Sequence, residues 1–402
     1  MAMPQYEMGG AVDVGGLSTF NMLHGFPEAL VRGMRSGFLR DSDYHHLTQC
    51  ETLEDIKLNL METDYGSYIA NDQNLSPQIL EARAMEKLVK EFNYIKSHSI
   101  HPLNTMLEYI SYEYMIENVM LLLRGSLSGR KIDDLMSQCH PLGMFKDSTM
   151  RSIPHFEASA QGYAELYETV LVDTPVGPYF QQYLDSESEM LASAGEVKNV
   201  LEETQIEILR NSLMKLYLED FYEFCEKMGG ITAEVMCHLL RCRADKFAIS
   251  LTLNSFGTPL NEPAMRENTR RKLYPSFGTL YPGATDMLSK VDDDGKLVQV
   301  VSIYPAYRDM FDKFLNANPE EFSIDDEFYI NDVKEHELAF ENQCHLGVFY
   351  AYIKLREQEV RNLVWISECV LQRMKSEVDK YIPIFSSQSM WRCEQTRRTG
   401  GH

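Results

Sequence analysis

The sequence predicts an all-α fold, and three observations support this prediction. Apolar residues recur at steps of three, four and seven over most of the chain, as they do on one face of a helix. Helix start signals such as Ser76-Pro77 fall at the beginnings of these periodic stretches. Strand signals are confined to one short run, residues 297–301, and nothing else in the chain supports a sheet.

The first part of the chain is a leader followed by a series of short helices. Residues 1–16 are rich in Gly and Met and have no periodicity, so we expect a disordered leader. Asp41 and Thr52 can each cap the start of a short helix. Ser76 and Pro77 start a longer one, because serine caps a helix and proline suits its first position.

The middle of the chain alternates long helices with loop-rich stretches. Residues 185–196 are acidic and small, which is typical of an exposed insertion. A long helix is predicted over about 197–228, ended by two glycines, and Thr232 is the candidate cap of the next one. Residues 258–325 contain many Pro and Gly and predict only short helices.

The last part of the chain predicts one long helix. Its start is assigned to Asp325 or Asp326, its end to Pro383 and its kink or packing point to Gly347. Such a helix would be roughly 80 Å long at 1.5 Å per residue. The tail from 386 to 402 is polar and basic and predicts disorder.

Two turns of this long helix interrupt its apolar stripe with polar side chains. We single out four residues as candidates: Arg356, Glu359, Arg361 and Asn362. They are either solvated charges at the edge of a wide helix or a polar lining that faces a cavity or a partner. Trp365 and Ile366, next to them, are predicted to anchor the helix in the core.

A weak self-similarity divides the chain into three related parts. The run from Leu60 to Tyr68 matches the run from Leu171 to Tyr179 in register, Gly33 and Gly125 follow similar sequences, and a weaker third copy begins with Gly257. We therefore treat these glycines as structural anchors. The alternative is a chance resemblance among helix ends.

The spacing of the glycines is far longer than the ~20–50 residues of a solenoid repeat. It predicts three helical units around a central cavity, a funnel. These units are 17–105 packed with 327–385, then 106–225, then 226–326.

Composition and motifs exclude several function classes. The net charge of −22 repels phosphate backbones, so we expect no nucleic-acid partner. No basic n-region followed by an apolar stretch begins the chain, and no apolar run approaches the ~18–20 residues of a membrane span. Eight scattered cysteines predict reduced thiols rather than a disulfide framework.

Motifs for catalysis and cofactor binding are missing from the sequence. GxxxxGK[ST], GxSxG, HExxH and GxGxxG do not occur, so we expect no catalytic site, cofactor or metal. Cys237, His238 and Cys242 do not converge as tetrahedral zinc requires, and residues 292–295 lack the first carboxylate of a calcium loop.

Several blocks resemble the subunit d family of the vacuolar-type proton ATPase, whose archaeal and bacterial counterpart is the C subunit. These blocks are CETLEDIKLNLMETDYGSYIAN, YMIENVMLLLRGSL, QCHPLG, ELYETVLVDTPVGPYF, LNSFGTPL, LYPSFGTLYPGA, HLGVFYAYIKLREQEVRNLVWISECV and YIPIF. The resemblance runs from about residue 17 to residue 385. The leader, the acidic insertion and the basic tail depart from the family pattern.

The resemblance implies a non-catalytic, all-α funnel that couples the central stalk to the proteolipid c-ring. The implied partners are the proteolipid subunits of the c-ring, the central-stalk rotor subunits and the membrane-sector subunit a. The implied location is the cytoplasmic face of a vacuolar or other endomembrane. Two other hypotheses remain open: a free cytosolic helical scaffold that binds peptides or regulators, and an all-α enzyme that uses an acidic cluster such as residues 292–294 with magnesium.

Overall fold

A computed structural model describes residues 17–153, 165–193, 202–316 and 323–386. Throughout these ranges the chain forms helices, turns and loops and no strand, which confirms the all-α prediction. The predicted leader, residues 194–196 of the predicted insertion and all but the first residue of the predicted tail lie outside the described residues. Within the same ranges, no helix is both long enough and apolar enough to cross a membrane.

The chain packs as two compact units. The first contains the described residues up to Leu107, those from Cys225 to Met236 and those from Asp325 onward. Its helices are α1 (Leu17–Met34), α2 (Asp41–Thr48), α3 (Leu53–Met61), α4 (Gly66–Ile69), α5 (Pro77–Ser97) and the start of α6 (Leu103–Leu127), and, late in the chain, helices at Ile324–Ala339 and Gly347–Gln372.

The second unit contains the described residues from Glu108 to Phe224 and from Cys237 to Ile324. After the rest of α6 its helices are α7 (Ile132–Gln138), α8 (Asp147–Ser152), α9 (Gly177–Ser193), α10 (Glu202–Met228), α11 (Gly230–Ser255), α12 (Pro263–Met265), α13 (Arg271–Leu273), α14 (Gly283–Leu288), α15 (Asp294–Val301) and α16 (Pro305–Asn316). The end of α10 and the start of α11, within Cys225–Met236, belong to the first unit. The late helices of the first unit are therefore α17 (Ile324–Ala339) and α18 (Gly347–Gln372). Residues 297–301, the one strand candidate, belong to α15, so that expectation was wrong.

Local side-chain chemistry explains where several helices begin. Ser76 Oγ accepts a hydrogen bond from the Ile79 N–H (3.2 Å), as predicted for the start of α5. Thr52 Oγ1 likewise accepts from the Asp55 N–H, and the Asp55 carboxylate accepts from the Thr52 N–H (3.0 Å). This reciprocal pair is a capping box and fixes the start of α3.

Two predicted caps act differently. Asp41 is the first residue of α2, and the carboxylate of Asp43 accepts the hydrogen bond from the Arg40 N–H (2.8 Å). Thr232 lies inside α11, where its Oγ1 accepts a hydrogen bond from the Leu346 N–H (3.0 Å). Thr232 therefore fixes a distant loop of the first unit rather than its own helix.

The long C-terminal helix predicted from the periodicity is two helices. A loop at residues 340–346 separates α17 from α18, and Cys344 in this loop has φ +60°. α18 ends at Gln372, eleven residues before Pro383, because Arg373 adopts the left-handed conformation (φ +60°). Left-handed residues end helices, so the predicted end of the helix was also wrong.

Side chains of α1 hold this loop in place. Arg32 donates to the main-chain oxygens of Phe340 (3.0 Å) and Asn342 (2.5 Å), and Glu28 accepts from the Cys344 N–H (2.9 Å). A Cβ at Gly347 would lie 2.7 Å from Val235 Cγ1, so α11 packs closely against the start of α18. Gly347 is the close packing point that we predicted, although it begins a helix rather than kinking one.

The two stretches that match in sequence also match in structure. Thr63 N–H donates to Leu60 O (3.0 Å) and Gly66 N–H to Thr63 O (3.0 Å); at the second place Thr174 donates to Leu171 O (2.9 Å) and Gly177 to Thr174 O (3.0 Å). A Cβ on either glycine would collide with a main-chain oxygen of the preceding helix end. The same helix–turn–helix junction therefore occurs once in each unit. The three-unit funnel itself stays a prediction.

Candidate functional site

Glu359 on α18 is fully buried and binds three donors from three segments. Its Oε1 accepts a hydrogen bond from the Tyr65 hydroxyl (2.6 Å) and pairs with Arg356 Nη1 (2.5 Å). Its Oε2 accepts from the Leu39 N–H (2.7 Å). A buried carboxylate is costly unless it is paired and hydrogen-bonded, and Glu359 meets both conditions.

Arg356, one turn earlier, is 1% exposed, and both the N–H groups and the planar face of its guanidinium make contacts. Its Nη1 donates to Gly37 O (3.1 Å), and its central carbon lies 4.0 Å from the centre of the Phe38 ring. Both contacts reach the turn that follows α1. Arg356 thus ties the start of the chain to α18 through charge, hydrogen bonds and a cation–π contact.

Two charged residues of α5 complete the cluster. Glu91 Oε2 accepts a hydrogen bond from the Tyr352 hydroxyl (2.7 Å) and lies 3.5 Å from Arg356 Nε. Lys87 Nζ lies 2.5 Å from Glu91 Oε1, and Lys87 is only 3% exposed. We call Lys87, Glu91, Arg356 and Glu359 the buried charge network. Its two formal positive and two formal negative charges balance inside the first unit.

The surroundings shift the pKa values of the network and its neighbours. Burial by itself lowers the pKa of Arg356, but the charge of Glu359 and the neighbouring tyrosines and Glu91 raise it well above its ordinary value. Burial, followed by the charge of Glu359, raises the pKa of Tyr65 well above its ordinary value. The Tyr65 phenol therefore stays neutral and donates to the carboxylate. Burial, followed by the nearby Arg356 charge, lowers the pKa of Lys87.

Asn362, the next polar residue on this face, holds the C-terminal segment. Its Nδ2 donates to Ile382 O (2.6 Å) and to the Tyr44 hydroxyl (3.1 Å), and its Oδ1 accepts from the Ile382 N–H (3.1 Å). The amide thereby satisfies both main-chain groups of Ile382. Buried main-chain groups need such partners, so Asn362 fixes residues 381–385 against α18.

The other predicted residues lie outside this network. Arg361 is exposed, with its guanidinium carbon 3.8 Å from the centre of the Tyr329 ring. Ile366 is 1% exposed in the core, as expected for an anchor. Trp365 is 38% exposed, with its Nε1 donating to Glu377 O (3.0 Å), so its assignment as a core anchor was wrong. Adjacent helix residues point about 100° apart, and only one of this pair can face the core.

The three glycines have three different environments. A Cβ at Gly33 would meet nothing within 4 Å, whereas one at Gly125 would collide with Leu135. Gly257 follows α11 with φ +74°, a conformation that glycine adopts without strain. Their likeness in sequence therefore does not reflect one shared structural role.

Neither interpretation of the polar interruption describes Arg356 and Glu359 correctly. They are neither solvated nor on the wall of an open cavity, because partners from α5, Tyr65 and Leu39 enclose them. All acceptor and donor groups of this pair that face the core are used in holding segments together. The arrangement is suited to fastening four segments of the first unit: the turn after α1, the residue before α4, α5 and α18.

Two thiols outside the network line a cavity. A cavity of about 420 Å³ lies beside the end of α18, and the thiols of Cys50 and Cys369 are in its lining. Burial raises the pKa of both thiols, which disfavours the reactive thiolate. The described ranges contain no group of three or more His, Cys, Asp or Glu side chains placed to hold a metal ion.

Comparison with known proteins identifies the family. The model of the ATP synthase (C/AC39) subunit family matches residues 27–381. This chain belongs to that family. A V-type proton ATPase subunit d from Dictyostelium discoideum is 43% identical over 372 residues, which cover 92% of this chain and 98% of that protein.

Relatives of lower sequence identity align over a similar length. The V-type proton ATPase subunit d of Saccharomyces cerevisiae is 36% identical over 91% of this chain and 99% of its own length. The C subunit of the A-type ATP synthase of Thermococcus kodakarensis is 20% identical over 89% of each chain. Residues 27–381, which the family model matches, include all four members of the buried charge network.

Sequence reasoning found the α18 half of the network and missed the α5 half. Lys87 and Glu91 are four residues apart and lie beside Ala84, Leu88 and Phe92, which are buried. A positive and a negative charge on an apolar helix face was a signal that could have indicated a buried pair. The contributions of Tyr65 and the Leu39 N–H depend on tertiary contacts that no local pattern shows.

Proposed function

We propose that this chain is a non-catalytic rotor subunit of the membrane sector of a V-type proton ATPase. In this role it couples the central stalk to the proteolipid c-ring, so that ATP hydrolysis elsewhere in the assembly drives proton transport. The observation that carries the proposal is the 43% identity to a V-type proton ATPase subunit d across 98% of that protein's length. The chain meets the proteolipid subunits of the c-ring, the central-stalk rotor subunits and subunit a, on the cytoplasmic face of a vacuolar or other endomembrane.

The buried charge network supports a mechanical role. A rotor element that couples two others must transmit torque without deforming, and closely packed interiors transmit strain. Arg356 and Glu359 join the turn after α1, α18 and the residue before α4, while Tyr352 and Glu91 add α5. Replacing Arg356 or Glu359 would weaken the contacts among all of these segments together.

Affinity purification tests the proposed function. The tagged full-length chain is purified from membranes dissolved in mild detergent, and the attached proteins are identified from their peptides. We expect proteolipid, central-stalk and subunit a peptides. A free scaffold would be recovered as a monomer or with unrelated proteins, and a magnesium-dependent enzyme would be recovered without the ATPase subunits. Either result would overturn the proposal.

Coupling is tested on the assembled ATPase. Conservative changes in the network, such as Arg356→Lys, are expected to lower the number of protons pumped per ATP hydrolysed while assembly is retained. Lysine keeps the charge but cannot make the forked contacts of arginine. Normal pumping per ATP in an assembled Arg356→Lys complex would contradict the mechanical role of the network.

A further inference from the structure

A histidine is buried in the loop of residues 340–346 that joins α17 to α18. His345 is fully buried, and its Nε2 lies 2.9 Å from Ala339 O and 3.2 Å from Asn342 O. Carbonyl oxygens only accept hydrogen bonds, so Nε2 carries the ring proton and donates to these oxygens. The charge of the ring is then decided at its other nitrogen, Nδ1.

The surroundings of His345 Nδ1 exclude a second proton. Nδ1 is buried and has no hydrogen-bond partner among the residues that the structure describes. A Cβ at Gly347 would lie 3.1 Å from Nδ1 and 2.7 Å from Val235 Cγ1, so the start of α18 and α11 pack closely around the ring. The free N–H groups at a helix start carry partial positive charge, which opposes a cation beside them. A protonated Nδ1 would also be a buried donor without an acceptor.

The groups on the other elements around His345 do not compensate a positive charge. Arg32 and Glu28 of α1 act on it electrostatically, but they pair with each other at 2.8 Å. From α11 the contacts at this end of the loop are Thr232 and Val235, which carry no charge, and α17 contributes its last main-chain oxygen. Burial lowers the pKa of His345 below its ordinary value, in agreement with this geometry.

His345 takes part in the contacts by which α1 and α11 hold the loop. Its Nε2 and Arg32 Nη2 donate to the same oxygen, Asn342 O. Glu28 accepts from a loop N–H (2.9 Å), and Thr232 Oγ1 accepts from the N–H of the residue after His345 (3.0 Å). Moving the ring into water would therefore disturb the contacts of the loop with both helices.

We propose that the 340–346 loop is an acid-sensitive joint, which stays closed while His345 is neutral and opens locally when the ring takes up a second proton. The open loop lets water solvate the imidazolium, which the closed loop cannot do. The closed form binds fewer protons than the open form, so acid favours opening below about pH 6.5, and neutral pH keeps the joint closed.

The joint is a property of the fold of the first unit and does not rest on the proposed function. Within the proposed ATPase it would act as a regulatory device. α1, α11, α17 and α18 meet at this loop, and a loosened contact among them would transmit strain less well. Acidification of the solution around the chain would then weaken the coupling.

Hydrogen exchange followed by mass spectrometry tests the joint on the purified full-length chain. Exchange of the 340–346 segment is measured at pH 7.5 and pH 5.5, and each rate is divided by the rate of an unfolded peptide at the same pH. This ratio gives the opening constant of the loop. The exclusion of one proton of ordinary pKa about 6.5 raises this constant about tenfold between the two pH values.

Two matched variants assign the response to one ring. His345→Gln removes the titrating group, while the glutamine amide can still donate to a carbonyl oxygen. His45→Gln is the control, because His45 is an exposed histidine on α2 of the same unit. We expect the tenfold rise in the wild type and in His45→Gln, and no rise in His345→Gln. Circular dichroism and the melting temperature establish that each variant is folded.

Several results would overturn the joint. One is an opening constant of the wild-type loop that does not change with pH, and another is a rise that His345→Gln retains. Exchange of the loop at the same rate as the buried part of α18 at both pH values would mean that the loop opens only by global unfolding. His24→Leu keeps the proposal testable if His345→Gln does not fold: this variant should retain the rise, and its loss would assign the response to α1 instead.

Discussion

Glu359 shows how a charged residue can occupy the core of this molecule. Its carboxylate replaces the water that it loses with the Leu39 N–H, the Tyr65 hydroxyl and the Arg356 guanidinium. A buried ion pair adds little net stability compared with apolar residues, but removing one partner leaves an isolated buried charge. Stability is therefore expected to depend on keeping both members of the pair.

We predict that Glu359→Gln destabilises the folded chain by about 3–5 kcal/mol, because it leaves Arg356 buried without its main counter-charge. The measurement is urea denaturation followed by circular dichroism. Glu51→Gln is the control: Glu51 pairs with Lys375 at 3.1 Å, and both side chains are more than two-thirds exposed. Its cost should be below about 1 kcal/mol.

Adding Arg356→Met to Glu359→Gln tests the explanation. The double variant removes the unpaired charge and should be more stable than Glu359→Gln alone, which a double-mutant cycle measures. If the two substitutions were simply additive, the loss would come from packing and not from an uncompensated charge.

Trp365 and Phe349 on α18 make a second comparison at this scale. Phe349→Ala is predicted to cost about 3–5 kcal/mol because its side chain is fully buried. Trp365→Ala should cost only about 1–2 kcal/mol, because the indole is already 38% exposed and the substitution removes its hydrogen bond to Glu377 O. Thermal and urea denaturation of the two variants give the ranking. Equal costs would mean that Trp365 anchors the core after all.

At the scale of helices and loops, the connection between α17 and α18 is determined by distant residues. Glu28 and Arg32 bind its main-chain groups from more than 300 positions away in the chain, and Thr232 binds it from α11. Apolar periodicity continues through the connection, so periodicity alone predicts an unbroken helix. Tertiary hydrogen bonds, which a local pattern cannot include, decide the break.

The repeated junction gives a prediction at the same scale. Gly66→Ala and Gly177→Ala should each destabilise the chain by about 1–3 kcal/mol, because a Cβ collides with a main-chain oxygen in both places. Gly33→Ala should instead be neutral or stabilise by up to about 1 kcal/mol, since the added methyl group meets nothing within 4 Å in a helix. Melting temperatures of the three variants test this, and an opposite order would contradict the equivalence of the two junctions.

Over the whole molecule, three buried histidines of the first unit connect stability with pH. His24, His336 and His345 each have a ring nitrogen without a hydrogen-bond partner, and burial lowers the pKa of all three. The unfolded chain therefore binds more protons than the folded chain once the pH falls below about 6.5. Asp245 in the second unit, whose pKa burial raises, acts in the opposite sense at lower pH.

We predict that the urea midpoint falls between about pH 7.5 and about pH 5.5, because folding excludes protons that the unfolded histidines take up. His24→Leu should reduce this difference because it removes one of the three rings that take up a proton on unfolding. The variant should still fold, since the buried ring has no hydrogen bond to lose. Denaturation curves at the two pH values provide the measurement. A midpoint that rises on acidification would show that groups other than these histidines control the dependence.

The all-α class, the caps at Ser76 and Thr52 and the polar interruption on α18 could be read from the sequence, because each depends on neighbouring residues. The break before Gly347 and the exposure of Trp365 could not, because each depends on which distant segment packs against α18. The candidate site was half predicted for the same reason: its residues on α18 are adjacent in sequence, whereas Lys87 and Glu91 join them only in the fold.

The first unit is built from both ends of the chain, and this sets the order of events during translation. When residue 324 leaves the ribosome, every residue of the second unit has been made, while α5 still lacks α18, which packs against it and pairs Arg356 with Glu91. A nascent chain at that stage must keep the apolar face of α5 from aggregating until α18 has been synthesised. Termination directly after residue 324 would thus produce all residues of the second unit joined to a first unit that lacks α18.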